Sequence, residues 1–308
     1  MFDFLYENKQ HIFTIFALQF VKSNNVIIKK IYMKIMIFIY SFLFSQTLFC
    51  QVNFAKDADY KDFMQTKTLV VLNNNPFSSY NVVIQKAVET LWKITPYEFI
   101  TPKEFISKKG NKAYSFLILT DAALEHKKTL MQYNILNLIL GGKVNTINDM
   151  PDLGSIPLSY TNEEEEDYLY KIGGVLQFMQ YFVHYNLNNP NKDLLKLLKN
   201  IEGNIGNKEI WLLKNEVDDE VNTLEKIKQY YTGSVKFATE EEIADAIARK
   251  DANVIFLHKI GNNVKENISW KVLISAENGE AVYFEQHKID QKHPDAFTAE
   301  DFGKLKSR

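Results

Sequence analysis

The chain has 308 residues, of which 46% are hydrophobic and 24% are charged, with 12 glycines and 7 prolines. This is the composition of a globular protein, and it excludes a disordered or fibrous chain. After position 50 there are 31 basic and 36 acidic residues, a net charge of −5, and this acidic body without a concentrated basic surface argues against a nucleic-acid partner.

Met33 to Cys50 has the three parts of an export signal. Lys34 supplies a positive start, an apolar run extends from Ile35 to Phe44, and a more polar segment ends at Cys50. The ten-residue run is shorter than the ~20 residues that a membrane-spanning helix needs. We therefore expect cleavage before Gln51 and a protein located in the periplasm or outside the cell. Two alternatives stay open: an uncleaved membrane anchor formed by residues 33–50, and lipidation of Cys50.

Residues 1–32 precede this segment, although an export signal normally begins the chain. We predict that Met33 is the true start and that residues 1–32 are an over-extended N-terminus. A two-segment anchor that includes His11–Val21 is the alternative. Cys50 is the only cysteine, so the mature chain is predicted to have no disulfide, no cysteine nucleophile and no cysteine-ligated zinc.

The rest of the chain contains an internal repeat. Tyr97–Leu119 aligns without a gap to Val235–Leu257, with five identical residues in 23. Both copies contain Thr-x-x-Glu, the capping box that begins a helix. The correspondence continues to apolar runs on both sides, so each copy reads β-α-β-α-β-β-β. This order predicts an α/β (α+β) fold of two homologous units, each a mixed sheet with its helices packed on one face.

Turns and helices complete the predicted organisation. Asn278-Gly279 predicts a type I′ hairpin, and Gly141-Gly142 the same turn in the first copy. An apolar stripe predicts a long helix from about Glu163 to Leu187, in which Gly173-Gly174 marks a close crossing against a sheet. A further helix begins at Pro190. The resulting boundaries are a first unit at 51–190, a helix and linker at 191–207, and a second unit at 208–308.

The best candidate for a site is a group of His and carboxylate residues near the C-terminus: Glu285, His287, His293 and Asp295. Such groups are suitable ligands for zinc or manganese, which makes them a candidate metal site. The spacing between the two histidines matches no helical or hairpin zinc pattern, so an ordinary solvated loop is the alternative. No motif predicts a catalytic residue or a cofactor site, and Ser78-Ser79 are interpreted as helix caps.

These observations favour a non-enzymatic binding or scaffold module of the bacterial envelope. Its partner, a protein or a small molecule, is expected between the two units or on the aromatic helix of residues 168–185. Contact with a membrane is expected only through residues 33–50, if they are not cleaved. The alternative is an exported metal-dependent hydrolase that uses Glu285, His287, His293 and Asp295.

Overall fold

The computed structural model describes residues 53–305, except for 127–128, 145, 191–197, 199–200 and 202–204. The predicted export signal, the residues before it, and most of the predicted helix and linker at 191–207 lie outside these ranges. The described residues belong to one compact part of the chain, and both predicted units lie in it. Within the described ranges, no helix is long and apolar enough to cross a membrane.

Each unit contains one five-stranded mixed sheet, which confirms the predicted fold class. The order is β2-β1-β3-β4-β5 in the first sheet and β10-β9-β8-β6-β7 in the second. In both, the first three strands are parallel and the last two are added antiparallel. The strands are β1 (Lys67–Val71), β2 (Tyr97–Ile100), β3 (Tyr114–His126), β4 (Thr129–Leu140), β5 (Ile156–Tyr160), β6 (Glu209–Leu212), β7 (Val235–Phe237), β8 (Val254–Ile260), β9 (Ile268–Ser275) and β10 (Ala281–Lys288).

Two of the helices begin at the capping boxes that the repeat predicts. Thr101 Oγ1 accepts a hydrogen bond from the amide of Glu104, and the Glu104 carboxylate accepts one from the amide of Thr101. Thr239 and Glu242 repeat this arrangement. The helices are α1 (Asp57–Phe63), α2 (Ser79–Leu91), α3 (Pro102–Lys108), α4 (Glu166–Leu169), α5 (Ile172–Asn188), α6 (Leu224–Ile227), α7 (Glu240–Ala248) and α8 (Ala299–Lys304). Each sheet therefore receives its helices in the predicted order.

The helices of a unit do not share one face of its sheet, so this detail of the prediction is wrong. Ile84 of α2 packs in one core with Val70 and Leu117, whereas Phe105 of α3 contacts Phe116 on the opposite face. The reason is the strand order. The chain moves from β1 to one side and then returns past β1 to β3, and two right-handed crossovers in opposite directions place their helices on opposite faces.

The two units pack together through faces that are not equivalent. A continuous shared core contains Leu117 of the first sheet, Val175 of α5 and Phe256 of the second sheet. Leu117 aligns with Ile255, yet Ile255 lies in a separate outer core on the far side of the second sheet. The α2 face of the first unit is thus stacked on the α7 face of the second, as in a tandem repeat.

Helix α5 crosses between the two sheets, and its glycines make the crossing possible. A Cβ atom on Gly174 would lie 2.2 Å from Cζ of Phe256, and one on Gly173 would lie 2.8 Å from Leu91. The predicted close crossing is therefore confirmed. The helix itself begins at Ile172 rather than near Glu163, because the backbone leaves the helical conformation at Lys171. The residues of its predicted apolar stripe are buried: Leu169, Ile172, Val175, Met179, Phe182 and Val183.

Both turn predictions need correction. Strands β9 and β10 do form a hairpin, but only Gly279 has a positive φ, +78°. A type I′ turn requires two such residues, so the turn is of another type. Strands β4 and β5 are joined by residues 141–155, which is too long a connection for a tight turn at Gly141-Gly142.

Candidate functional site

A polar cleft of about 360 Å³ opens on the outer side of the second sheet. Strands β9 and β10 form its floor, helix α8 one wall, and the loop after β10 another. A capping box fixes α8 in place, because Asp301 Oδ2 accepts a hydrogen bond from the amide of Thr298 at 2.7 Å. The lining residues with ionisable side chains are Asp218, Glu220, Lys271, Glu285, His287, Lys292, His293, Glu300, Asp301 and Lys304.

A buried ion pair lies beneath this cleft. Lys271 Nζ donates to Asp301 Oδ2 at 2.5 Å and to the carbonyl of Ala296 at 3.0 Å, while the Tyr283 hydroxyl donates to Asp301 Oδ1 at 2.6 Å. Both charged side chains are only 2% exposed. Burial alone favours a neutral carboxyl, but the ammonium of Lys271 and the hydrogen bonds from Lys271, Tyr283 and Thr298 together outweigh it and lower the pKa of Asp301. The floor is thus a saturated network that holds the surrounding side chains in fixed positions.

Three of the four predicted metal ligands line the cleft. The carboxylate of Glu285 pairs with Lys304 at 2.7 Å. The imidazole rings of His287 and His293 have centroids 6.1 Å apart, and His287 Nε2 donates to the carbonyl of Pro294 at 3.0 Å. Burial, together with the nearby Lys271 ammonium, lowers the pKa of His287, so its free Nδ1 is an acceptor at neutral pH.

Asp295, the fourth predicted ligand, lies apart from the other three. Its side chain is fully buried and accepts hydrogen bonds from Lys259 Nζ at 2.9 Å and from Ser269 Oγ at 2.7 Å. The carboxylate is therefore engaged by Lys259 and Ser269, and Asp295 does not line the cleft. Among the described residues, no group of three or more His, Cys, Asp and Glu side chains is placed to hold a metal ion.

A second buried polar cluster lies where the two units meet. Lys171, just before α5, donates from Nζ to the carbonyl of Lys259 at 3.0 Å and lies 3.9 Å from the Glu216 carboxylate. Burial raises the pKa of Glu216 and lowers that of Lys171. Sequence reasoning did not identify these residues. The available signal was the position of Lys171, one turn before Val175 and in phase with the buried stripe.

The space between the units and the aromatic helix were the predicted partner surfaces. The shared core fills that space, and Tyr168, Phe178 and Phe182 are among its buried residues. Tyr181 and Tyr185 are partly exposed, so most of the aromatic stripe is core. A partner surface along the whole of residues 168–185 is therefore not present in the described structure.

The serines predicted to cap α2 do not make the expected bonds. Ser78 occupies the cap position, but its side chain makes no capping hydrogen bond. Instead, the amide of Tyr80 donates to the Glu165 carboxylate, and Ser79 Oγ donates to Glu166, both at 3.3 Å. Two acids of the Glu163–Asp167 run thus complement the N-terminus of α2, a favourable position for negative charge.

Comparisons with known protein families, with curated proteins and with solved structures find no match to this chain.

Proposed function

We propose that this chain is an exported, non-enzymatic binding module of the bacterial envelope, and that the polar cleft of the second unit is its ligand site. The observation that carries the proposal is the cleft itself. Its volume of about 360 Å³ lies within the range of small-molecule sites. Its walls combine carboxylates, ammonium groups and two imidazoles above the fixed Lys271–Asp301 floor, which suits a small polar ligand.

Binding is tested by the thermal stability of the full chain in the presence of amino acids, dicarboxylates, polyamines and sugars. A compound that binds the folded state raises the melting temperature. Lys304→Gln removes the cation that pairs with Glu285 at the cleft wall. Lys67→Gln is the matched control, since Lys67 forms a similarly exposed pair with Glu98 on the first unit. Stabilisation that is lost only in Lys304→Gln supports the proposal, and equal stabilisation of both variants contradicts it.

Export is supported by the residue pattern of Met33–Cys50. N-terminal sequencing of the protein recovered from outside the cytoplasm tests it. A mature chain that begins near Gln51 agrees with the proposal, and an intact Met1 contradicts it.

The alternative function, an exported metal-dependent hydrolase, is favoured by one observation. His287, His293 and Glu285 line the same cleft, whereas Asp295 is committed to Lys259. Metal analysis of the purified protein distinguishes the two functions. If the wild type binds about one metal ion per chain and His293→Ala loses it, the hydrolase is favoured. If neither protein binds a metal ion and the variant loses no hydrolytic activity, the binding module is favoured.

A further inference from the structure

A buried histidine lies at the contact between the two units. His258 of β8 is 1% exposed, and its Nε2 atom donates to the carbonyl of Pro157 at 2.9 Å. Pro157 belongs to β5, the edge strand of the first sheet. The opposite ring nitrogen, Nδ1, is buried and has no hydrogen-bond partner. The ring is therefore the neutral tautomer with its proton on Nε2, as the carbonyl requires.

The groups around this ring cannot accommodate a second proton. The ammonium of Lys171, just before α5, is the charge that disfavours a proton on His258. Its own partner Glu216 lies 3.9 Å from it on the loop after β6. Strand β5 offers only the Pro157 carbonyl, and the residue opposite on β9 is the uncharged Val272. An imidazolium here would bury an unpaired N–H beside an ammonium. Burial accordingly lowers the pKa of His258 to about 3.

Polar and apolar contacts cross between the units beside His258, and the apolar ones place Tyr160 in one buried cluster with Ile260 and Ile268. The Tyr160 hydroxyl donates to the carbonyl of Ile268 and accepts from its amide, each at 3.0 Å. Lys171 Nζ donates to the carbonyl of Lys259. If β5 moves away from β8, water can replace the hydrogen-bond partners at modest cost, whereas the apolar contacts of Tyr160 with Ile260 and Ile268 are lost. The loss of these apolar contacts keeps the open state rare at neutral pH. Protonated His258 would then be solvated, while α5 continues to hold the shared core.

We propose that the contact between β5 and β8 is a pH-sensitive joint, which loosens when the His258 side chain takes up a proton. With the ordinary value of 6.5 in the open state and a pKa of about 3 in the closed state, the opening equilibrium increases about 25-fold between pH 7 and pH 5. Acidity would thus change how firmly the two units are held together, independently of the ligand proposed for the cleft.

Amide hydrogen exchange of the full chain tests this joint. The reporter is the Ile268 amide, which donates across the joint to Tyr160. After correction for the intrinsic effect of pH, its opening constant should rise about 25-fold from pH 7 to pH 5 in the wild type. It should rise equally in His184→Gln, an exposed histidine outside the cleft, and much less in His258→Gln, whose side-chain amide can still donate to Pro157. Because Glu216 also titrates, the difference between the wild type and His258→Gln is the decisive quantity.

Three results would overturn the proposal. The first is an opening constant of the Ile268 amide that rises as much in His258→Gln as in the wild type, and the second is an opening constant that does not rise in the wild type. The third is an equal rise at fully buried amides such as that of Leu69, which would indicate global unfolding. If His258→Gln does not fold, NMR titration of the wild-type imidazole replaces it. In the closed form, which NMR observes, the His258 ring should stay neutral at pH 5 while the opening constant of the Ile268 amide rises. A ring that titrates near 6.5 while the joint remains closed contradicts the proposal.

Discussion

Replacing Gly174 by Ala tests the close crossing of α5 over the second sheet. Two effects oppose each other in this variant. Alanine favours a helix over glycine by about 1 kcal/mol. However, the new Cβ would lie 2.2 Å from Cζ and 2.9 Å from Cε1 of Phe256. Phe256 is fully buried and cannot move without displacing the shared core, and such overpacking costs about 1–3 kcal/mol, occasionally more.

At a separation of 2.2 Å the clash is at the severe end of that range, so the net effect should be a loss. We expect the free energy of unfolding of Gly174→Ala to fall by about 2 kcal/mol, the cost of overpacking less the gain in helix propensity, as measured by urea denaturation. Gly303→Ala is the control, since Gly303 also lies in a helix but its Cβ would meet nothing within 4 Å. This control should gain up to about 1 kcal/mol. If Gly174→Ala is as stable as Gly303→Ala, α5 does not cross the sheet as described.

Two further substitutions test charges and faces. Asp301→Asn leaves the buried Lys271 without its partner and should lower the free energy of unfolding at pH 7 by about 3–5 kcal/mol, while Glu98→Gln in an exposed pair should change it little. The folded-state pKa of Asp301 lies below its ordinary value of 3.8. This stabilisation is therefore present above pH ~4 and is lost as the pH falls through the lower, folded-state value. If the free energy of unfolding depends on pH as steeply in Asp301→Asn as in the wild type, this reasoning is refuted. Ala246 lies in the shared core, and the position aligned with it in the first copy is Lys108, on the exposed face of α3. Ala246→Lys should therefore bury an unpaired charge and lower the free energy of unfolding by about 3–5 kcal/mol in the same urea assay. Lys108→Ala should be nearly neutral, and equal effects of the two substitutions would contradict the stacking of non-equivalent faces.

The order of the elements could be predicted because its signals are local. Thr101 and Thr239 each form a capping box with a residue three positions later, and the buried strands are continuous apolar runs. The face on which each helix packs depends on strand order, which joins residues far apart in the chain. The first copy has lysines at 108 and 109, where the second copy has Ala246 and Ile247, which are buried. Two lysines at these positions indicate that the corresponding face of α3 is turned to solvent. That difference between the copies was the missed signal.

The candidate site was predictable only in part, for a similar reason. Glu285 and His287 alternate along β10, so both residue type and spacing placed them on one surface. Asp295 follows closely in the chain, but the turn after His293 directs its carboxylate to Lys259. The floor of the cleft joins Lys271 to Asp301, 30 residues later, and no short pattern reveals such a pair. Glu216 likewise becomes a buried partner only because α5 brings Lys171 to it.

The shared core is the central claim, because the stacking of the two units and the position of the pH-sensitive joint depend on it. The chain has three tryptophans. Trp92 of the first unit and Trp211 of the second both lie in this core, and Trp270 packs against a separate buried cluster that contains Tyr160 and Ile268. Fluorine NMR of the 5-fluorotryptophan-labelled protein in increasing urea follows each residue separately. If the two units share one core, all three native signals disappear at the same urea concentration. A Trp92 signal that is lost at a different concentration from the Trp211 signal would contradict the account.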